Sequence, residues 1–176
     1  FTSLNSFSSE NLTGYLGGNI EDSDSFANTG IIGSLLGTAV KLGSFDDNIH
    51  FIDKADGGSL NSINLGAGND KFGITVGSNS HNLIFGDEGN DQIKLSGQKV
   101  TEDDVIDGGI GTDTVIIDQS HNNFLNFSNI ENIVLKSIAA GDNTFSKVNT
   151  PLSISMEAGT DGSPSSFSVK KLPSTS

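Results

Sequence analysis

A six-residue turn is written three times in this chain: Leu65-Gly-Ala-Gly-Asn-Asp70, Gly86-Asp-Glu-Gly-Asn-Asp91 and Gly108-Gly-Ile-Gly-Thr-Asp113. Each copy runs straight into an alternating, largely apolar run, Phe72/Ile74/Val76, Ile93/Lys94/Leu95 and Val115/Ile116/Ile117. One unit therefore encodes a flexible acidic turn followed by a strand. The closing aspartates, together with Asp47 upstream, are 23, 21 and 22 residues apart. At about 3.3 Å per residue, such a period holds two or three short strands with their turns. A unit of this size cannot bury its apolar face alone and has to stack on its neighbours, so the period predicts the coils of a solenoid.

Aligned on the turn, the coils begin at Val40, Ile63, Leu83 and Val105 and reach Asp47, Asp70, Asp91 and Asp113. Each reads strand, acidic turn, strand. The return halves, Gly77 to Asn82, Gly97 to Asp103 and Asp118 to Asn123, are polar and lack the glycine-aspartate pattern. Ordered turns are expected on one edge and loops free to vary on the other. Residues 126–135 keep the inward apolar positions without the glycines and read as the start of a C-terminal β cap. Within that cap, Leu152/Ile154/Met156 and Phe167/Val169 alternate as strands around a turn at Gly159 to Gly162. The chain divides into a lead-in over 1–38, a solenoid over 39–123 and capping strands over 124–176. In the lead-in, Gly17 to Asp22 is a candidate for a degenerate earlier turn, 25 residues before Asp47, beside the plainer reading of a lead-in without one. Phe26, Phe45, Phe72, Phe124 and Phe145 read as core, and His50, His81 and His121 as loop or surface residues.

Composition agrees with a thin, regular architecture. The 22 glycines against 3 prolines favour turns over long helices, giving an all-β class. Without cysteine, neither disulfides nor zinc–thiolate sites can staple the fold. Nine basic residues, all lysine, face 22 acidic ones, for a net charge of -13. That balance repels nucleic acid and anionic membranes and attracts cations. The most apolar segment, Gly30 to Val40, is too short for a transmembrane span and is broken by Gly33 and Gly37. The chain reads as soluble. Its start at Phe1, without methionine or a signal-like segment, reads as a processed product or a piece of something longer.

The turns resemble the glycine- and aspartate-rich nonapeptide of RTX proteins, G-G-x-G-x-D-x-U-x with U a large apolar residue. Gly108 to Val115 matches every fixed position, Leu65 to Phe72 departs at the first glycine, and Gly86 to Ile93 has Asp87 at the second. Leu42 to Ile49, with Phe45 at the fourth position, is the poorest copy. The likeness covers about residues 40 to 120. It implies a right-handed parallel β-solenoid, a β-roll or β-helix with coils of about 22 residues, that binds Ca2+ between successive turns. Position by position, it assigns one site to Gly86, Glu88 and Asp91 with Gly109, Gly111 and Asp113. A second falls on Leu65, Ala67 and Asp70 with Asp87, Gly89 and Asp91, and a third on Leu42, Ser44 and Asp47 with Gly66, Gly68 and Asp70. Family β-rolls carry the motif on both edges in coils of about 18 residues. Here one edge alone keeps it, so a single row of ions is expected.

Glycine-asparagine-aspartate turns also close strands without metal. Three copies in register, however, bring aspartates to about 4.8 Å spacing, where they repel unless a cation lies between them. The resemblance implies a calcium-dependent secreted structural module of a bacterial surface-layer protein, adhesin or self-assembling exoprotein, which folds on calcium outside the cell. Its partners would be calcium ions, further copies of itself or a cell-surface glycan. The alternative is an accessory or catalytic β-helix module of a polysaccharide lyase or epimerase. Against it, the chain has no arginine to hold an acidic glycan, and its one tyrosine, Tyr15, lies outside the repeats. No catalytic residue is assigned.

Overall fold

The computed structural model describes residues 2–3, 8–12, 16–21, 29–53, 60–76, 81–97, 103–118, 124–136, 144–146 and 153–156. Side chains are described within 39–51, 60–76, 81–96, 103–118, 126–136 and 153–155. These residues form β1 (Thr2–Ser3), β2 (Ser8–Leu12), β3 (Leu16–Glu21), β4 (Thr29–Lys41), β5 (Asn48–Asp53), β6 (Leu60–Asn64), β7 (Lys71–Val76), β8 (His81–Phe85), β9 (Gln92–Gly97), β10 (Val105–Asp107), β11 (Thr114–Asp118), β12 (Phe124–Ser128), β13 (Asn132–Lys136), β14 (Thr144–Ser146) and β15 (Ser153–Met156). Among the described residues there is no helix.

Every pairing is parallel, and no two consecutive strands pair with each other beyond β3, β4 and β5. The even strands β6, β8, β10, β12 and β14 form one stack and the odd strands β5 to β15 the other. This is a parallel β-solenoid, as the period predicts. Strand β4 joins the stacks: Thr29 to Leu35 pair with β5, while Ala39 to Lys41 pair with β6. The apolar segment from Gly30 to Val40 is thus one strand that passes between the two faces.

Stacking puts like on like. One inward rung runs Val40, Ile63, Ile84, Ile106, Phe127 and the facing one Ile49, Phe72, Ile93, Val115, Ile133. All are at most 3% exposed. β-Branched side chains fit such a pleated, buried stack, and Phe51 meets Phe72 edge-on at a centroid distance of 5.4 Å. Burial alternates between buried and intermediate along β8, β11 and β13.

One sequence expectation changes. Phe45 is 46% exposed and so is not core. It occupies the fourth turn position, where the next coil has Gly68 packed against the Phe45 backbone, which leaves the ring on the outside. Residues 124–136 and 153–156 continue both stacks in register as further coil strands. The degenerate turn at Gly17 to Asp22 falls partly in β3, whose Ile20 pairs with Val40, and Asp22 lies outside the described residues. Also outside are the side chains of Phe26, Phe124 and Phe145, residue His121, the Gly159 to Gly162 turn and the strand at Phe167/Val169.

Candidate metal centre

The turns 42–47, 65–70, 86–91 and 108–113 lie on one edge, each between an even-stack strand and an odd-stack strand. Backbone bonds clamp them together: Ala67 N–H donates to Gly43 O (2.9 Å), Glu88 N–H to Gly66 O (3.0 Å) and Ile110 N–H to Asp87 O (2.6 Å). In the opposite sense, Gly68 N–H donates to Glu88 O (2.8 Å) and Gly89 N–H to Ile110 O (2.9 Å). Gly89 has φ +138, and a Cβ there would strike the Gly68 carbonyl. That close approach explains the fourth-position glycine.

The turn aspartates form an inner file. Asp47 N–H donates to Asp70 Oδ1 (2.7 Å), Asp70 N–H to Asp91 Oδ1 (2.9 Å) and Asp91 N–H to Asp113 Oδ1 (2.8 Å). All four are at most 3% exposed. Beside it runs an outer, exposed file of opposite sense: Asn69 N–H donates to Asp46 Oδ1, Asn90 N–H to Asn69 Oδ1 and Thr112 N–H to Asn90 Oδ1. The fifth motif position thus has its own task, locking turn to turn.

Asp70, Asp91 and Asp113 each spend one oxygen on the preceding coil. The second oxygen, Oδ2 of Asp70, Asp91 and Asp113, is buried and accepts no hydrogen bond. Buried acceptors left in this way cost about 1–3 kcal/mol, more when charged. Adjacent carboxylates one rung apart also repel, by about 3 kcal/mol per pair at an effective dielectric of about 20. Burial is the main reason that Asp70 is pushed up to about 7 and Asp91 to about 6 from an ordinary 3.8. The backbone N–H bonds oppose the shift, and neighbouring carboxylates add to it. Asp113 is raised for the same reasons, with Glu131 and Asp107 as the charges nearby. Charging one of these carboxylates therefore hinders charging the next, and protons or a cation would relieve that cost.

Calcium takes about six to eight hard oxygens, carbonyls included, and the buried, unpartnered carboxylate oxygens fit that demand. So does the backbone around them: a Cβ on Gly86 would strike the Gly108 carbonyl oxygen and lie 2.5 Å from Asp91 Oδ2. Two oxygens from adjacent coils therefore converge where only glycine leaves room. Among the described residues, no three His, Asp or Glu side chains gather into a cluster that could hold an ion by themselves. Carbonyls would have to complete any site.

Of the residues named from sequence, Asp47, Asp70, Asp91 and Asp113 come together in the file. Leu42, Ser44, Leu65, Gly66, Ala67, Gly68, Gly86, Asp87, Glu88, Gly89, Gly109 and Gly111 line the same stacked edge. The carbonyls of Gly66, Asp87 and Glu88 already accept ladder bonds. The side chains of Asp87 and Glu88 are exposed. Asp87 accepts Asn64 Nδ2 at 2.7 Å.

Sequence reasoning missed two features. At the opposite corner, Asn61 Nδ2 donates to Asn82 Oδ1 (3.0 Å) and Asn82 Nδ2 to Asp104 Oδ1 (2.9 Å), all three buried. The coil period carries this ladder as well, since the residues are 21 and 22 apart. In addition, Asp113 N–H donates to Glu131 Oε2 at 2.7 Å, so a glutamate extends the inner file. On the outer surface, His50 is half-buried with Nε2 2.9 Å from Thr75 Oγ1, and burial lowers its pKa. His81 faces Asp103 at 3.4 Å and Lys94 faces Asp118 at 3.1 Å.

Among the described residues no helix is long and apolar enough to cross a membrane. Comparison with protein-family models, with curated proteins and with solved structures finds no match to the chain in any of the three.

Proposed function

We propose that this chain is a calcium-dependent structural module, related to RTX repeats and working outside the cell, in which cation binding and solenoid folding are one event. One observation carries the reading: a file of buried carboxylates, stacked coil on coil, each of Asp70, Asp91 and Asp113 keeping an oxygen without a hydrogen-bond donor. Bound calcium supplies the positive charge that lets these carboxylates stay ionised in the interior. Asp70, Asp91 and Asp113 would hold it from the side chains, with carbonyls of the flanking turns, Gly108 among them, completing the shell. With a net charge of -13, the metal-free chain repels itself and stays extended. Extracellular calcium, in the millimolar range that weak extracellular modules use, would then set where the module folds. A rigid rod with repeated faces suits a surface-layer, adhesive or self-assembling role, with a second copy or a cell-surface glycan as partner.

The test is circular dichroism of the metal-free chain during a calcium titration, with size measured in parallel. The expected outcome is little order in chelator, then a cooperative gain of β signal and a contraction as calcium is added. A chain already fully folded without metal would sink the coupling of folding to calcium.

A further inference from the structure

We infer that the inner file ends in a further calcium site, outside the repeated motif, made by the Asp113 carboxylate, the Asn129 carbonyl and the Glu131 carboxylate. The inference rests on the calcium reading of the turns. The turn between β12 and β13 has three residues, 129–131, where the earlier ones have six, and no glycine. The step across it is 18 residues instead of 21 to 23. Even so, it reproduces what the motif provides. Glu131 Oε2 takes the Asp113 N–H at 2.7 Å, the task that aspartate performs in each earlier coil. Its extra methylene gives the reach that the shorter turn withdraws.

Asn129 stands one coil beyond Gly108, since Ser128 pairs with Asp107. It adopts φ +51 without being glycine, and its Nδ2 is tied to Asp107 Oδ1 at 2.7 Å. A Cβ on Gly108 would strike the Asn129 carbonyl oxygen and lie 2.7 Å from Asp113 Oδ2. The same convergence of a carboxylate oxygen with the next coil's carbonyl occurs one coil earlier, around Gly86. Asp113 is 0% exposed and its Oδ2 accepts no hydrogen bond. A fully buried anionic oxygen therefore faces a carbonyl from the next coil, and a second carboxylate on that coil can balance the remaining charge of a divalent ion.

Calcium bound per chain, measured by isothermal titration with Ca2+ alone on the 176-residue chain, decides the matter. Glu131→Gln should bind one ion fewer than the unsubstituted chain while keeping its calcium-induced β signal. Asn129→Gly, which retains the carbonyl and the positive φ, should keep the full count. If Glu131→Gln keeps every ion, the terminal site is wrong and the calcium reading of the motif stands; if the unsubstituted chain binds none, both fall. Should Glu131→Gln fail to fold, Glu131→Asp keeps the charge and shortens the reach, and it should weaken one ion by about tenfold or more. Unchanged affinity at every site in Glu131→Asp would overturn the inference.

Discussion

At the scale of single residues, one aspartate is asked to do two things, and each can be removed separately. Asp91 Oδ1 takes the Asp70 N–H, while Oδ2 lies buried beside Gly86 without a donor. Asp91→Asn keeps the first function and abolishes the charge. In chelator near pH 8 this variant should show more β signal than the parent, because an ionised carboxylate displaced to about 6 by burial is no longer present. With calcium present the order should reverse. For Asp91→Ala, calcium titration should show a larger loss of bound ions than for Asp47→Ala, since Asp91 lies between two well-formed turns and Asp47 in the poorest. Gly89→Ala probes the backbone alone. Its φ of +138 and contact with the Gly68 carbonyl should cost roughly 2–4 kcal/mol, read from urea melts in calcium.

At the scale of elements, stability without metal should follow pH in a sense opposite to most proteins. The folded values of Asp70 and Asp91, about 7 and about 6, lie above the ordinary 3.8. Burial thus favours the protonated acids, and their contribution is complete below about 4 and lost as pH rises through 6 to 7. Circular dichroism of the metal-free chain should therefore show more β signal near pH 4 than near pH 8, with calcium removing most of that difference. The opposite corner makes a complementary prediction. Asn82→Ala removes the side-chain bonds to Asn61 and Asp104 while its N–H still reaches Asp104 Oδ1, at about 1–3 kcal/mol, with the calcium count unchanged. This contrast shows how far the sequence was legible. The acidic edge was readable because glycine and aspartate recur together at fixed spacing. Asn61, Asn82 and Asp104 sit among Ser, Asn and Asp of the return halves, where only burial separates a ladder residue from a solvated one. Glu131 escaped notice because both the residue type and the coil length change at once, and Phe45 misled because hydrophobicity does not reveal which way a turn residue faces.

At the scale of the whole molecule, every described pairing is parallel and each coil touches only its neighbours, so the rod is close to one-dimensional. Cohesion should then depend on how many coils are sealed, and calcium should sharpen the urea transition as well as move it to higher concentration. The inner file also has a direction. Asp47, Asp70, Asp91 and Asp113 each donate their N–H to the acidic side chain one coil closer to the C-terminus. In a chain that emerges N-terminus first, each turn therefore meets its outer-file acceptor on the coil already present and waits for the next coil to supply its inner-file acceptor. Glu131 is the last acceptor that this column receives.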